Sequence, residues 1–414
     1  MDQRIVEKIP VRIYETDLAA CRVVARRIAD LIRRQEQEGH PTVLGLATGS
    51  TPVNVYRELI RLHREEGLDF SKVITFNLDE YWPIRHSAIQ SYHRWMEENL
   101  FNWINIPRNS VHLLSGEIAE WEVPGHCENF EQAIRDVGGL DLQILGIGRS
   151  GHIGFNEPGS TRDSRTRRVH LDKITRKDAA SDFFAEEHVP EMALTMGVGT
   201  ILEAKEICLL AFGEHKAPMI RQAVEGEIRP EVAASYLQEH PNTTFYLDEA
   251  AAASLTRIST PWLCGPCEWD EPLQRRAVLW LSQKVKKAVL KLTDEDYVDN
   301  GLGDLNRAKD GAYHSNIQVF RHQMNTITGW PGGKDGPRSV LVLSPHPDDD
   351  VICMGGTMRR FVEQGHQVHV AYMVSGHISV FDHEVVRYAD FVRHFNEIFS
   401  LAGEQSKLIE DHIE

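Results

Sequence analysis

The sequence predicts an α/β protein: a parallel sheet with helices on both faces, followed by a second, incomplete α/β segment at the C-terminus. Three observations predict it. Short, continuously apolar runs alternate with amphipathic stretches over the first 250 residues. Clusters of glycine, hydroxyl and charged residues fall directly after those runs, where ligands sit in open α/β sheets. Beyond a glycine- and proline-rich stretch, another apolar run leads into "SPHPDDD", residues 344–350.

Residues 16–38 carry helical periodicity, with Thr16 or Asp17 suited to the N-cap. "TVLGLA" (42–47) is a strand, "TGSTP" a turn, and "VNVYRELIRLHREEG" a second helix. "KVITFNL" (72–78) is a strand that runs straight into "DEY". "DLQILGI" (141–147), "EICLLAF" (206–212) and "TTFYLD" (243–248) are further strands, with the helical "GEHKAPMIRQAVEG" between the last two. Apolar runs without polar alternation belong to strands covered on both faces. The order of these elements is that of a Rossmann-like sheet. A long helix (271–292) follows, and "GWPGGKDGPR" (329–338) reads as a linker before the strand "SVLVLS" (339–344). The expected organisation is a first domain over 1–292, a connecting segment over 293–337, and a second domain over 338–414.

Composition narrows the partners. The chain holds 61 acidic against 45 basic residues, a formal net charge of −16, which opposes binding to nucleic acid or to an anionic membrane. The start, "MDQRIVEKIP", lacks the apolar core of a signal peptide, and no apolar run approaches a membrane span. Six scattered cysteines do not form a disulfide framework. The expected compartment is the cytoplasm.

The strand ends carry the chemistry. Thr48, Gly49, Ser50 and Thr51 lie between a strand and a helix opening at Pro52, so free N–H groups and hydroxyls converge as they would on a phosphate. Lys216, after the strand at 206–212, supplies a countercharge. Asp79 and Glu80 follow the strand at 72–78 and must point oppositely; a shielded carboxylate there suits removal of a carbon-bound proton, although a helix cap or ion pair would use the same residue types. "GIGRSGHIGFNEPG" (146–159) sets His152 and Glu157 in one glycine-rich loop, where the carboxylate can orient the imidazole or simply order the loop.

Taken in order, "LGLATGSTP", "TFNLDEYW", "LGIGRSGHIGFNEPG", "SRTR", "LTMGVGTIL" and "GEHKAPMIRQAVEG" resemble the glucosamine-6-phosphate deaminase (isomerase) family over roughly residues 40–250. The resemblance implies deamination of glucosamine 6-phosphate to fructose 6-phosphate and ammonia, without a metal or other cofactor. It implies Asp79 as the base that moves a proton from C2 towards C1, and His152 with Glu157 as the group that opens the sugar ring. Thr48, Gly49, Ser50, Thr51 and Lys216 would then hold the phosphate. Three departures stand out. Ser150 occupies a position where many members carry Asp, leaving His152 more dependent on Glu157. The region matching the family's phosphate-site "NSR" reads "AASDFF" (179–184), so either phosphate affinity is weaker or a neighbour such as Arg176 or Arg167 substitutes. The basic cluster of allosterically regulated members reads "RVH" here, so control by N-acetylglucosamine 6-phosphate is not expected. The alternatives are a sugar-phosphate sensor without catalysis and, less compatible with these motifs, lactone hydrolysis. Assembly into a homo-oligomer remains open.

The C-terminal segment offers His346 and Asp349, three apart at a strand end, as metal ligands, with Asp348 placed to activate a water. Over about 338–400 it resembles the LmbE-like (PIG-L-type) zinc deacetylases of N-acetylglucosaminyl substrates. Their third ligand, a histidine, falls beyond the matched stretch, so zinc is expected only if the site is completed in a longer chain. Cys264 and Cys267 have redox-motif spacing but a loop-like context, and no role is assigned to them.

Overall fold

In the computed structural model, residues 6–327, 336–375 and 382–398 are described. Part of the expected linker, residues 328–335, lies outside them. The chain divides into two compact units between Glu268 and Trp269.

The first unit is built on strands β1 (Val11–Tyr14), β2 (Thr42–Leu46), β3 (Val73–Asn77), β4 (Asp79–Trp82), β5 (Val111–His112), β6 (Leu142–Leu145), β7 (Arg167–His170), β8 (Met192–Thr195), β9 (Ile207–Ala211) and β10 (Thr243–Asp248). Seven of them form one sheet in the order β1-β10-β9-β6-β2-β3-β5, every pairing parallel. β2, β6 and β9 are buried at every residue, which explains their unbroken apolar sequence. The remaining three form a small antiparallel sheet, β4-β8-β7. It begins at Asp79, where the chain leaves β3 and changes sheet after Leu78 alone.

The helices follow the expected pattern. Asp17–Glu38 is capped by the Thr16 side chain, which accepts from the Ala19 N–H at 3.2 Å, and ends at Gly39 in the left-handed conformation. Its apolar stripe, including Ala20, Val24, Ile28 and Ile32, is buried. Val53–Glu66 opens after Pro52 and buries Val55, Tyr56, Leu59 and Leu62. Both helices cover the sheet, whose core also takes in Phe76, Leu145, Leu209 and Phe245.

The second unit starts earlier than the sequence suggests. The helix at 271 runs only to Val285, ending at Lys286 with φ 55°, and a short 3-10 turn follows at Val289–Lys291. It packs against the helices Asp294–Asp299 and Ala312–Ile327. Gln274 donates to Gln318 at 3.0 Å, and the Tyr297 hydroxyl donates to Asn316 at 2.8 Å. β11 (Ser339–Ser344) and β12 (Gln367–Tyr372) pair in parallel around the helix Asp349–Glu363.

Candidate active site

Strand order decides which side chains meet. β9, β6, β2 and β3 are consecutive and parallel, so the residues following them emerge along one edge of the sheet. That edge receives Lys216 after β9, the His152 loop after β6, Thr48–Thr51 after β2, and Asp79 after β3. The expected site residues of the first unit therefore lie on one edge.

Asp79 is only 7% exposed. Burial, reinforced by the neighbouring charge of Glu80, pushes its carboxyl up to about 8, against the opposing effect of a hydrogen bond from the Thr48 side chain. Glu80 points the other way and is fully engaged. Its two oxygens accept from the Tyr81, Tyr92 and His93 N–H groups at 3.0 Å each and from the Ser91 hydroxyl at 2.8 Å. Glu80 thus caps the helix Tyr92–Asn99. Of two adjacent acids, one anchors structure and one remains for chemistry.

The His152 loop folds back on itself: the Gly148 N–H donates to the His152 carbonyl and the Gly151 N–H to the Gly148 carbonyl, each at 3.0 Å. A side chain at Gly148 would come within 2.1 Å of His152 Nε2, so glycine leaves that nitrogen uncovered. His152 Nδ1 lies 2.9 Å from Ser150 Oγ, 3.1 Å from Glu157 Oε2 and 3.3 Å from Thr175 Oγ1. With Nδ1–H directed at Glu157, Nε2 is the nitrogen left to exchange a proton. Burial opposes ionisation of Glu157, but hydrogen bonds from His152, Thr175 and the Asp172 N–H outweigh it and hold the carboxyl below its ordinary value. Gly154 brings the loop to the base. At φ +56°, a Cβ there would lie 3.6 Å from Asp79 Oδ2 and 2.9 Å from Thr195 Oγ1.

At the anion-binding end, Thr48, Gly49 and Thr51 are half-buried and Ser50 is exposed, ahead of the helix Val53–Glu66. Lys216 is half-buried and occupies the N-cap position of the helix Ala217–Glu225 without a side-chain cap; burial lowers its pKa, and it forms no ion pair among the described residues. Both expected substitute arginines are engaged within the protein. Arg167 donates to Asn156 at 2.9 Å and to Ser160 at 3.0 Å, while Arg176 faces the Glu186 carbonyl and Glu191.

Sequence reasoning missed Thr175, Thr195 and Asn156. Asn156 donates to the Ile153 and Met196 carbonyls at 2.8 Å and so ties the loop to the end of β8. The "FNEPG" string was the available signal for Asn156; nothing local marked the two threonines, which act across sequence separations of 23 and 40 residues. A cleft of about 680 Å³ elsewhere in this unit is lined by Arg167 but by none of Asp79, His152, Glu157, Thr48–Thr51 or Lys216. Its Arg165 and Arg168 pair with Glu203 and Glu120, whereas the strand ends bring a buried carboxylate, an oriented imidazole and a lysine to one edge and form the candidate site.

In the second unit His346 and Asp349 meet each other, with Nδ1 to Oδ2 at 3.0 Å. Asp348 is exposed. Asp350, the last acid of the run, is buried and contacts Ser344 and Tyr372 instead. Among the described residues no three His, Cys, Asp or Glu side chains are grouped to hold a metal.

A parallel sheet with these groups beyond its strand ends defines an open α/β protein whose candidate site lies at the carboxyl edge of the sheet. Residues 15–246 match the model of the glucosamine-6-phosphate isomerases/6-phosphogluconolactonase, and the chain belongs to that family. Its relatives point to one branch. It is 50% identical over 243 residues to glucosamine-6-phosphate deaminase 2 of Giardia intestinalis, covering 58% of this chain and 90% of that one. It is 46% identical over 408 residues to a putative glucosamine-6-phosphate deaminase-like protein of Bacteroides thetaiotaomicron, covering 95% of this chain. The chain spans 62% of that relative's length. A solved monomeric glucosamine-6-phosphate deaminase is 40% identical, with a TM-score of 0.57 over 59% of this chain and all of that one. Residues 341–397 match the GlcNAc-PI de-N-acetylase model.

Proposed function

We propose that the first unit converts glucosamine 6-phosphate and water to fructose 6-phosphate and ammonia. The observation that carries this reading is the placement of buried Asp79 against the loop of His152 and Glu157, with Thr48–Thr51 and Lys216 on the flanking strand ends. With the phosphate held by the N–H groups and Lys216, the sugar ring extends along the edge towards Asp79. A proton carried on His152 Nε2 passes to the ring oxygen as the C1–O bond breaks, and the C1 hydroxyl, which becomes the aldehyde carbonyl, hands its own proton back to Nε2. The Asp79 carboxylate then takes the C2 proton while Nε2 gives its proton to the C1 oxygen, leaving a C1=C2 enolamine, and Asp79 returns its proton to C1 as the nitrogen lone pair forms the C2=N bond. The resulting C2 imine adds water and releases ammonia. These steps call on side chains of this chain and on no metal or other cofactor; as net C–N cleavage by water the reaction is hydrolytic.

The substrate is a metabolite of the cell interior, and we infer the cytoplasm as the compartment. Among the described residues no helix is long and apolar enough to cross a membrane. Incubating the purified chain with glucosamine 6-phosphate and measuring ammonia and fructose 6-phosphate tests the reading. Tight sugar-phosphate binding with no ammonia would replace it by the non-catalytic sensor.

A further inference from the structure

Residues 179–184, where the resemblance implies an arginine near the phosphate, carry none, and the geometry points to another one. β6 lies between β2 and β9. The loop that follows β6 therefore emerges between Thr48–Thr51 and Lys216. Arg149 belongs to that loop. The loop is also pressed onto the Lys216 side of the edge. A Cβ at Gly151 would come within 2.7 Å of Met219 Sδ, on the helix that follows Lys216, and the Ala234 N–H donates to the Gly151 carbonyl at 2.9 Å.

Arg149 grips Asp178 with a two-pronged contact, Nη2 to Oδ1 at 2.6 Å and Nε to Oδ2 at 2.9 Å. Both side chains are nearly half exposed, and an ion pair in that setting contributes little to folding. A guanidinium fork held by a carboxylate is also set up to hold two oxygens of a phosphate. Lys216 senses both partners, Asp178 favouring its charge and Arg149 opposing it, so the three groups share one neighbourhood. Counting Lys216, Arg149 and Asp178 together leaves one positive charge in the free protein, against a phosphate monoester of nearly two negative charges.

We propose that Arg149 is a phosphate-binding residue of this site, and that Asp178 holds its guanidinium in the free protein and yields it to the substrate's phosphate. Asp178 lies on the helix Lys173–Ala179, which also carries Thr175 against His152. Exchange of Asp178 for phosphate thus loosens the tie between that helix and the glycine loop as substrate arrives. The ligand class is a sugar phosphate, so the inference rests on the reading above.

The test is titration calorimetry with fructose 6-phosphate and with inorganic phosphate, alongside steady-state deamination, on the full chain and on Arg149→Gln, Arg149→Lys and Asp178→Asn. Loss of a charged phosphate contact is expected to weaken fructose 6-phosphate binding and raise KM about 10- to 100-fold in Arg149→Gln, with kcat changing much less. Arg149→Lys should recover part of the loss. Asp178→Asn should bind both probes more tightly, because the guanidinium no longer has a competing partner. Unchanged affinity in Arg149→Gln, or weakening in Asp178→Asn as large as in Arg149→Gln, would overturn the proposal. A wild-type chain that binds fructose 6-phosphate without releasing ammonia would sink the catalytic reading and leave this one standing. A wild-type chain that binds neither probe overturns both.

Discussion

Replacing Asp79 by Asn should inactivate the protein and stabilise it at the same time. The side chain is almost fully buried, and its carboxyl is pushed up to about 8, against an ordinary unfolded value of about 3.9. The folded state therefore binds a proton that the unfolded chain has released between those two values. Stability is fully present below pH ~4 and falls as pH rises, levelling off above the folded pKa. At pH 7 the interval is about three units, and at about 1.36 kcal/mol per unit the acid costs about 4 kcal/mol. Asn keeps the volume and can still meet the Thr48 hydroxyl, but carries no charge to desolvate. For a body of this size that difference corresponds to about 10 °C in Tm. Calorimetric melting of wild type and Asp79→Asn at pH 4, 5.5, 7 and 8.5 isolates the term, because other titrating groups largely cancel in the comparison. The gap should be near zero at pH 4 and widen with pH. Deamination should fall about 100- to 10,000-fold. Since the active form of the base is the carboxylate, wild-type kcat/KM should rise as pH passes through about 8. A gap that does not change with pH, or a variant retaining a tenth of wild-type activity, would refute the reasoning.

Three further outcomes are expected. Lys216→Ala should raise KM about 10- to 100-fold and change kcat much less, since a phosphate contact remote from C2 is largely uniform binding; steady-state kinetics with an unchanged KM would contradict it. Glu157→Gln should lower kcat about 10- to 100-fold with KM nearly kept, because it frees His152 Nδ1 to rotate towards Ser150 and Thr175, 2.9 and 3.3 Å away; wild-type kcat in this variant would remove Glu157 from the proton-transfer pair. The 414-residue chain, given zinc and N-acetylglucosamine derivatives, should release no chelator-sensitive acetate, because His346 and Asp349 provide two ligands where a hydrolytic zinc site needs three; robust release would show that another group completes the site.

What the sequence made legible follows from burial. β2, β6 and β9 are covered on both faces, so their apolar runs had no competing interpretation. β1 and β5 lie at the two sheet edges, are at most half-buried, and left no such run. The β4-β8-β7 sheet was missed for a related reason: β7 reads Arg-Arg-Val-His, and strands of four residues are specified by their partners more than by their own composition. In the candidate site, position was readable where a residue follows a strand of the parallel sheet, as Asp79, His152, Glu157 and Lys216 do. The partners of Glu80 were not readable, because its cap depends on N–H groups 12 and 13 residues further along.

The boundary of the first unit shows the same limit at larger scale. The helix at 271 follows a loop and carries an apolar stripe, Ala277, Val278 and Leu281, which any neighbouring core could bury. Periodicity states that a face will be covered and says nothing of which body covers it. The answer lies in contacts 40 or more residues downstream, such as Gln274 to Gln318, together with the Tyr297–Asn316 bond that fixes the partner helices. A glycine-rich stretch at 329–338 looked like the natural break because flexible composition marks where a chain can part, whereas compactness depends on where its contacts close. Here they close at Glu268, directly after the Cys264–Cys267 stretch, and the helices that follow form a body with Tyr297 and Leu305 in its interior.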